Sequence, residues 1–129
     1  TLGNLYAVRD WGHAKDYALS MWKILQYKSP DDWVIATNKE NTVKNFINIA
    51  AKKLSINLKW QGKGLKEKAI NLNNGKIIIN LDAKFLRPSE VDFLKGNFSK
   101  AKRLLKWKPL ISTDKLIDDM IEYEMSQNS

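Results

Sequence analysis

The sequence of 129 residues predicts a small mixed α/β domain. Three observations point there. Apolar residues recur at helical spacing in four segments, short β-prone runs fall between them, and Pro, Asn-Gly or capping residues mark the boundaries. The resulting order, αβαββαα, has too few strands for a complete doubly wound sheet. The length allows one domain, since chains divide at about 100–200 residues per domain. A chain of this size buries roughly two-thirds of its unfolded surface. The hydrophobic fraction of 43% and the five Trp argue against disorder.

The first helix is expected from about His13 to Gln26, with Ala14, Tyr17, Ala18, Met21, Trp22 and Leu25 as its buried stripe. Ser29-Pro30 ends it, because Pro disfavours helix in the residue before it. Trp33-Val34-Ile35-Ala36 reads as a strand. Thr42 then caps a second helix carrying Val43, Phe46, Ile47, Ala50 and Leu54 on its apolar face. Ile56 to Trp60 alternates as a strand does, and Gln61 to Lys68 is a Gly- and Lys-rich loop. Asn74-Gly75 signals a turn into the strand Lys76-Ile77-Ile78-Ile79. Residues 82–97 show no clean period. Ser99 to Trp107 suggests a short helix with Ala101, Leu104 and Leu105 inside, broken by Pro109. Ser112 or Thr113 caps a last helix that buries Leu116, Ile117, Met120 and Ile121. Trp22 and Trp60 are expected on buried faces.

Composition excludes several function classes. Without Cys there are no disulfides, thiolate metal sites or cysteine nucleophiles. One His leaves no His-rich metal cluster and no convincing triad. No Tyr-x-x-x-Lys spacing occurs, and Gly62-Lys63-Gly64 lacks the third Gly and the strand–helix context of a dinucleotide cradle. The net charge is +8, but 19 of the 22 basic residues are Lys, dispersed among many Asn. Nucleic-acid readers favour Arg, whose planar fork grips phosphate and guanine bidentately, so no nucleic-acid partner is expected. No window approaches the roughly 20 apolar residues of a membrane span. The start, Thr1-Leu2-Gly3-Asn4, has neither initiator Met nor a signal-peptide pattern, so the chain reads as cut from something longer, with a cytoplasmic setting expected.

Three constellations are candidates for chemistry. Arg9-Asp10-Trp11-Gly12-His13 lies at the start of the first helix, where backbone N–H groups and an Arg favour an anion. The plainer alternative is an Arg–Asp pair tying down a loop, with His13 solvated. Arg87-Pro88-Ser89-Glu90 sets a cation and a carboxylate three residues apart on a Pro-stiffened loop, which suits phosphate and ribose hydroxyls. Its alternative is a surface turn. The acidic run Asp114, Asp118, Asp119, Glu122 and Glu124 is better read as a solvated helix face than as a metal site.

Leu2-Gly3-Asn4-Leu5, Arg9-Asp10-Trp11-Gly12-His13-Ala14-Lys15-Asp16-Tyr17, Val34-Ile35-Ala36-Thr37, Arg87-Pro88-Ser89-Glu90-Val91-Asp92 and Lys100-Ala101-Lys102 with Trp107-Lys108-Pro109 occur in one order and spacing. Through them the chain, from Leu2 to about Glu124, resembles the C-terminal part of the GDP-mannose 4,6-dehydratase family of extended short-chain dehydrogenase/reductases. The resemblance implies a small mixed α/β substrate-binding domain, residues 1–129, without the N-terminal Rossmann domain. It implies conversion of GDP-D-mannose to GDP-4-keto-6-deoxy-D-mannose and water by a homo-oligomeric enzyme. NADP and the catalytic residues would lie in the missing part, leaving this chain inert alone. Arg9 and Arg87 would clamp the diphosphate, Glu90 would accept from ribose hydroxyls, and Asn4 would lie near the base. Tyr6 and Val8 depart from the acidic and basic residues expected there. Two alternatives stay open: the equivalent domain of another nucleotide-sugar epimerase or reductase, and a free-standing basic module that binds nucleic acid or protein.

Overall fold

A computed structural model describes residues 1–87 and 96–128. Its elements are β1 (Val8–Arg9), α1 (Ala14–Gln26), β2 (Asn41–Thr42), α2 (Val43–Lys53), β3 (Leu58–Gln61), β4 (Lys68–Asn71), β5 (Lys76–Ile79), α3 (Ser99–Leu104) and α4 (Thr113–Gln127). The chain divides into two compact units.

The first unit comprises Thr1–Ala7 and Thr42–Phe93. Thr42 caps α2 by accepting the Asn45 N–H at 3.0 Å, as its hydroxyl predicts. The opening segment satisfies two further free donors of that helix, since the Leu5 and Ala7 carbonyls accept the Lys44 and Val43 N–H groups at 2.8 and 3.3 Å. Strands β3, β4 and β5 form an antiparallel sheet in that order, with Trp60 opposite Ala69 and Ala69 opposite Ile79. β4 falls partly inside the stretch expected to be a loop. Lys68-Ala69-Ile70-Asn71 is short and half polar, yet it is the central strand and Ala69 is fully buried. The turn at Asn74-Gly75 and the strand after it follow the sequence expectation.

The second unit comprises Val8–Asn41 and Leu94–Ser129. Its core is Ala101, Leu105 and Trp107, with Tyr17, Ile24, Tyr27, Trp33, Ile35 and Phe98 packed against them. Helix α3 ends at Leu104, short of Trp107. Lys106, at φ 56°, then turns the chain so that the Trp107 N–H reaches the Ala101 carbonyl at 3.3 Å. Asp16 accepts the Leu110 and Ile111 N–H groups at 3.1 and 3.0 Å, while the Trp107 indole donates to the Asp16 carbonyl at 2.9 Å.

These bonds turn most of the expected face of α1 outward, although Tyr17 of that stripe packs against the core. The residues buried on α1 are Asp16 and Ser20, whereas Met21, Trp22 and Leu25 are 64%, 60% and 79% exposed. Periodicity locates an apolar stripe but not which side the neighbours occupy, and here a satisfied carboxylate holds the inner face. Trp22 is therefore not on a buried face; Trp60 is half-buried. The strand expected at Trp33–Ala36 belongs to no sheet among the described residues. In α4 the cap is Ser112 and Ile117 is buried, but Met120 is half exposed.

Candidate functional site

The best-built polar site lies in the second unit, where β1 leads into α1. Asp10 follows β1, and its carboxylate accepts the Thr37 N–H at 3.0 and 2.9 Å, the Thr37 hydroxyl at 2.6 Å and the Asn38 N–H at 3.2 Å. The Gly96 N–H approaches the same carboxylate at 3.4 Å. Gly96 is needed there, because any Cβ would overlap the Ala36 methyl. Asp10 thus ties three backbone segments together, a role close to the plainer alternative of a loop tie, with donors from Thr37, Asn38 and Gly96.

Arg9 stands beside this hub and lines a cavity of 320 Å³ with Asp10, Tyr17, Gly96 and the run Val34-Ile35-Ala36. One guanidinium N–H donates to the Val8 carbonyl at 2.8 Å, which fixes the fork at the cavity wall. Burial, and then the charges of Asp10 and Asp16, push the Tyr17 hydroxyl above its ordinary value, so it remains a neutral O–H donor at physiological pH. A fixed cation and a neutral donor can hold an anionic ligand.

His13 is not solvated. It caps α1 by accepting the Lys15 N–H on Nδ1 at 3.1 Å, which puts a proton on Nε2, facing Asp119 at 3.0 Å. Asp119 also pairs with Lys115 at 2.9 Å. Lys115 first, and His13 after it, hold the Asp119 carboxyl below the usual carboxylate range. Among the described residues no three His, Asp or Glu side chains are grouped to hold a metal.

The other sequence-derived candidates lie elsewhere. Asn4 and Arg87 belong to the first unit. The opening segment runs beside the segment leading to Arg87: Leu2 bonds to Asn80 and Asp82, and Gly3 has no room for a Cβ against the Phe85 and Leu86 backbone. Asn4 uses its side-chain oxygen to accept the Tyr6 N–H at 2.9 Å. Arg87 is exposed. Glu90 lies outside the described residues, so its expected contact with ribose is carried by the sequence alone.

One cluster had no sequence signal beyond a lone acid in a Lys-rich loop. Glu67, 5% exposed, accepts the Tyr6 hydroxyl at 2.9 and 2.8 Å and the Lys44 ammonium at 2.6 Å. Lys44 also lies over the Trp60 ring at 4.8 Å. Tyr6, at one of the two departures from the family pattern, therefore has a structural role.

The GDP-mannose 4,6 dehydratase family profile matches residues 1–120. A GDP-mannose 4,6 dehydratase of Dictyostelium discoideum is 43% identical over 120 residues, which is 93% of this chain and 34% of that protein. The enzyme of that name from Homo sapiens is 42% identical over 97% of this chain and 34% of its own length. The chain thus spans about a third of the length of the curated relatives it matches. Among solved structures, a UDP-glucose 4-epimerase of Thermotoga maritima with UDP-glucose aligns at TM-score 0.74 and 16% identity, over 100% of this chain and 35% of that one. RMD from Pseudomonas aeruginosa, complexed with NADPH, aligns at TM-score 0.67 and 15% identity over 90% of this chain and 32% of that one. These two show that the mixed α/β fold of this chain recurs as about a third of each of those larger proteins.

Proposed function

Because the chain belongs to the GDP-mannose 4,6 dehydratase family, we propose that it is the C-terminal nucleotide-sugar-binding portion, residues 1–129, of an NADP-dependent dehydratase. The observation that carries this reading is the family match across residues 1–120. The whole enzyme converts GDP-D-mannose to GDP-4-keto-6-deoxy-D-mannose and water, as a homo-oligomer in the cytoplasm. No helix among the described residues is long and apolar enough to cross a membrane.

Arg9 and Arg87 each bind the diphosphate, Glu90 accepts from the ribose hydroxyls, and Asn4 lies near the base. Arg9 at a cavity wall supports its share, since a planar fork held by the Val8 carbonyl loses little freedom on meeting phosphate. That two of only three Arg in a Lys-rich chain fall in the two family motifs supports the pair.

NADP, where bound, supplies a reversible hydride acceptor for sugar oxidation. The residues described here do not fit it: Gly62 and Gly64 sit in the link between the antiparallel strands β3 and β4, not at a strand-to-helix turn. The chain alone is therefore inert, and its contribution is substrate binding and orientation. In the full-length enzyme, Arg87→Ala and Arg9→Ala are each expected to weaken GDP-mannose binding by about 2–3 kcal/mol, as loss of a charge-assisted bond does. Titration calorimetry reads this directly, and unchanged affinity in both variants would sink the assignment.

A further inference from the structure

The motif Lys100-Ala101-Lys102 with Trp107-Lys108-Pro109 lies outside the set of substrate-binding residues, and its lysines are used differently. Ala101 and Trp107 form the core of the second unit. Lys100 is held by its neighbours: it pairs with Asp31 at 2.9 Å, donates to the Asp32 carbonyl at 2.8 Å and lies over the Trp33 ring at 4.9 Å. Lys102 and Lys108 are exposed, and neither has an ion pair among the described residues. Both line a cavity of 250 Å³. Lys39 lines it as well, and no carboxylate does among the described residues. Like charges around one opening repel, and an anion placed among them removes that cost.

The cavity is held rigid from two sides. Asp10 fixes the buried Thr37, whose hydroxyl accepts the Lys39 N–H at 3.3 Å. Asn38, at φ 62°, turns the chain between them and accepts the Phe98 N–H on its side chain at 3.2 Å. On the other side, Asp16 fixes the backbone of Leu110 and Ile111. Trp11 and Phe98 supply half-buried rings, and Phe98 packs edge-on to Trp107 with centroids 5.8 Å apart. No lining residue is shared with the cavity of Arg9. A preorganised wall of rings under a cationic rim suits a phosphate joined to a flat group, whereas a bare ion would leave the rings without a partner. We propose that this cavity binds a small aromatic phosphate monoester. Lys39, Lys102 and Lys108 hold the phosphate, and Trp11 and Phe98 pack against the ring. The volume of 250 Å³ lies under the roughly 300–1,000 Å³ of larger ligand sites, so a single ring fits and a nucleotide sugar does not. The site stands apart from the GDP-mannose reading.

The probe is phenyl phosphate, titrated calorimetrically into the full-length enzyme at low salt. It should bind with a dissociation constant of about 1 mM or below, inorganic phosphate roughly tenfold more weakly, and phenol not measurably. Lys102→Gln and Lys108→Gln should each weaken phenyl phosphate roughly five- to tenfold, and Lys102→Arg should restore binding. Both lysines are exposed, so an unchanged unfolding temperature should accompany the loss. Arg9→Ala should leave phenyl phosphate binding as it is. No binding by about 10 mM, or full binding in both Gln variants, would overturn the proposal. So would loss of binding in Arg9→Ala alone, because the anion would then sit in the other cavity. Equal affinity for phenyl phosphate and inorganic phosphate would overturn it too, since the rings would contribute nothing. GDP-mannose affinity, measured on the same proteins, separates the two readings. Lys102→Gln should not change it, and an enzyme that binds phenyl phosphate but not GDP-mannose refutes the substrate assignment alone.

Discussion

Among the described residues each compact unit buries one carboxylate, and the two satisfy it differently. In the unit built on the β3–β5 sheet, Glu67 is held by side chains, the Tyr6 hydroxyl and the Lys44 ammonium. In the unit built on α1, α3 and α4, Asp16 is held by the backbone N–H groups of Leu110 and Ile111. Amides do not titrate and move only with the chain, so Asp16 fixes the path between α3 and α4. Glu67 depends on a second charged group, and its contribution varies with pH. Among the described residues, β3, β4 and β5 of the sheet unit pair with one another, whereas Val34–Ala36 of the helical unit joins no ladder and the apolar face of α1 is exposed.

The largest test of this contrast is at the Asp16 anchor. Trp107 is 1% exposed and donates its indole N–H to the Asp16 carbonyl at 2.9 Å. Trp107→Ala removes the largest buried side chain of that core and should cost about 3–5 kcal/mol. Asp16→Ala should cost about 2–4 kcal/mol by leaving two backbone donors without an acceptor. Urea denaturation reads both. A loss below about 1 kcal/mol for either would mean that the helical unit is held elsewhere.

What the sequence made legible follows from which physical signals are local. Caps and turns were readable because the residue and its partner lie within four positions, as for Thr42 with Asn45, Ser112 with Lys115 and the Asn74-Gly75 turn. The inner face of α1 was not, because the donors that make Asp16 a buried residue lie some 94 positions away. β4 was missed for a related reason, since Ala69 is small and its burial comes from neighbours on both sides. The motifs around Arg9 and Arg87 were readable as patterns. The hub at Asp10 was not, because Thr37 and Gly96 reach it only in the fold.

Glu67→Gln should have the next largest effect, about 1–2 kcal/mol near neutral pH, because the half-buried Lys44 ammonium loses its counter-charge. The hydrogen bond from Lys44, and then that from Tyr6, hold the Glu67 carboxyl below its usual range. A group depressed in the folded state stabilises above its unfolded value, about 4.3, and loses that contribution as pH falls through the folded value. Stability of the unsubstituted chain should therefore fall between about pH 5 and pH 3 more steeply than that of Glu67→Gln. Lys44 is shifted upward by the same hydrogen bond, so its contribution is lost only at alkaline pH. Parallel acid limbs for the two proteins would show that Glu67 is satisfied independently of its charge.

The smallest effects should be the same in both units, which locates their difference in the cores and not in the helix starts. Thr42 accepts the Asn45 N–H at 3.0 Å in one unit, and Ser112 accepts the Lys115 N–H at 3.1 Å in the other. Each hydroxyl serves one donor in the first turn of its own helix, so Thr42→Ala and Ser112→Ala should each cost about 1 kcal/mol. Hydrogen exchange resolves where that cost falls. Thr42→Ala should speed exchange at Asn45 and leave Lys115 unchanged, and Ser112→Ala should do the reverse. Faster exchange at Lys115 in Thr42→Ala would show that a cap in the sheet unit stabilises the helical one, and the contrast drawn between the two would then have to be given up.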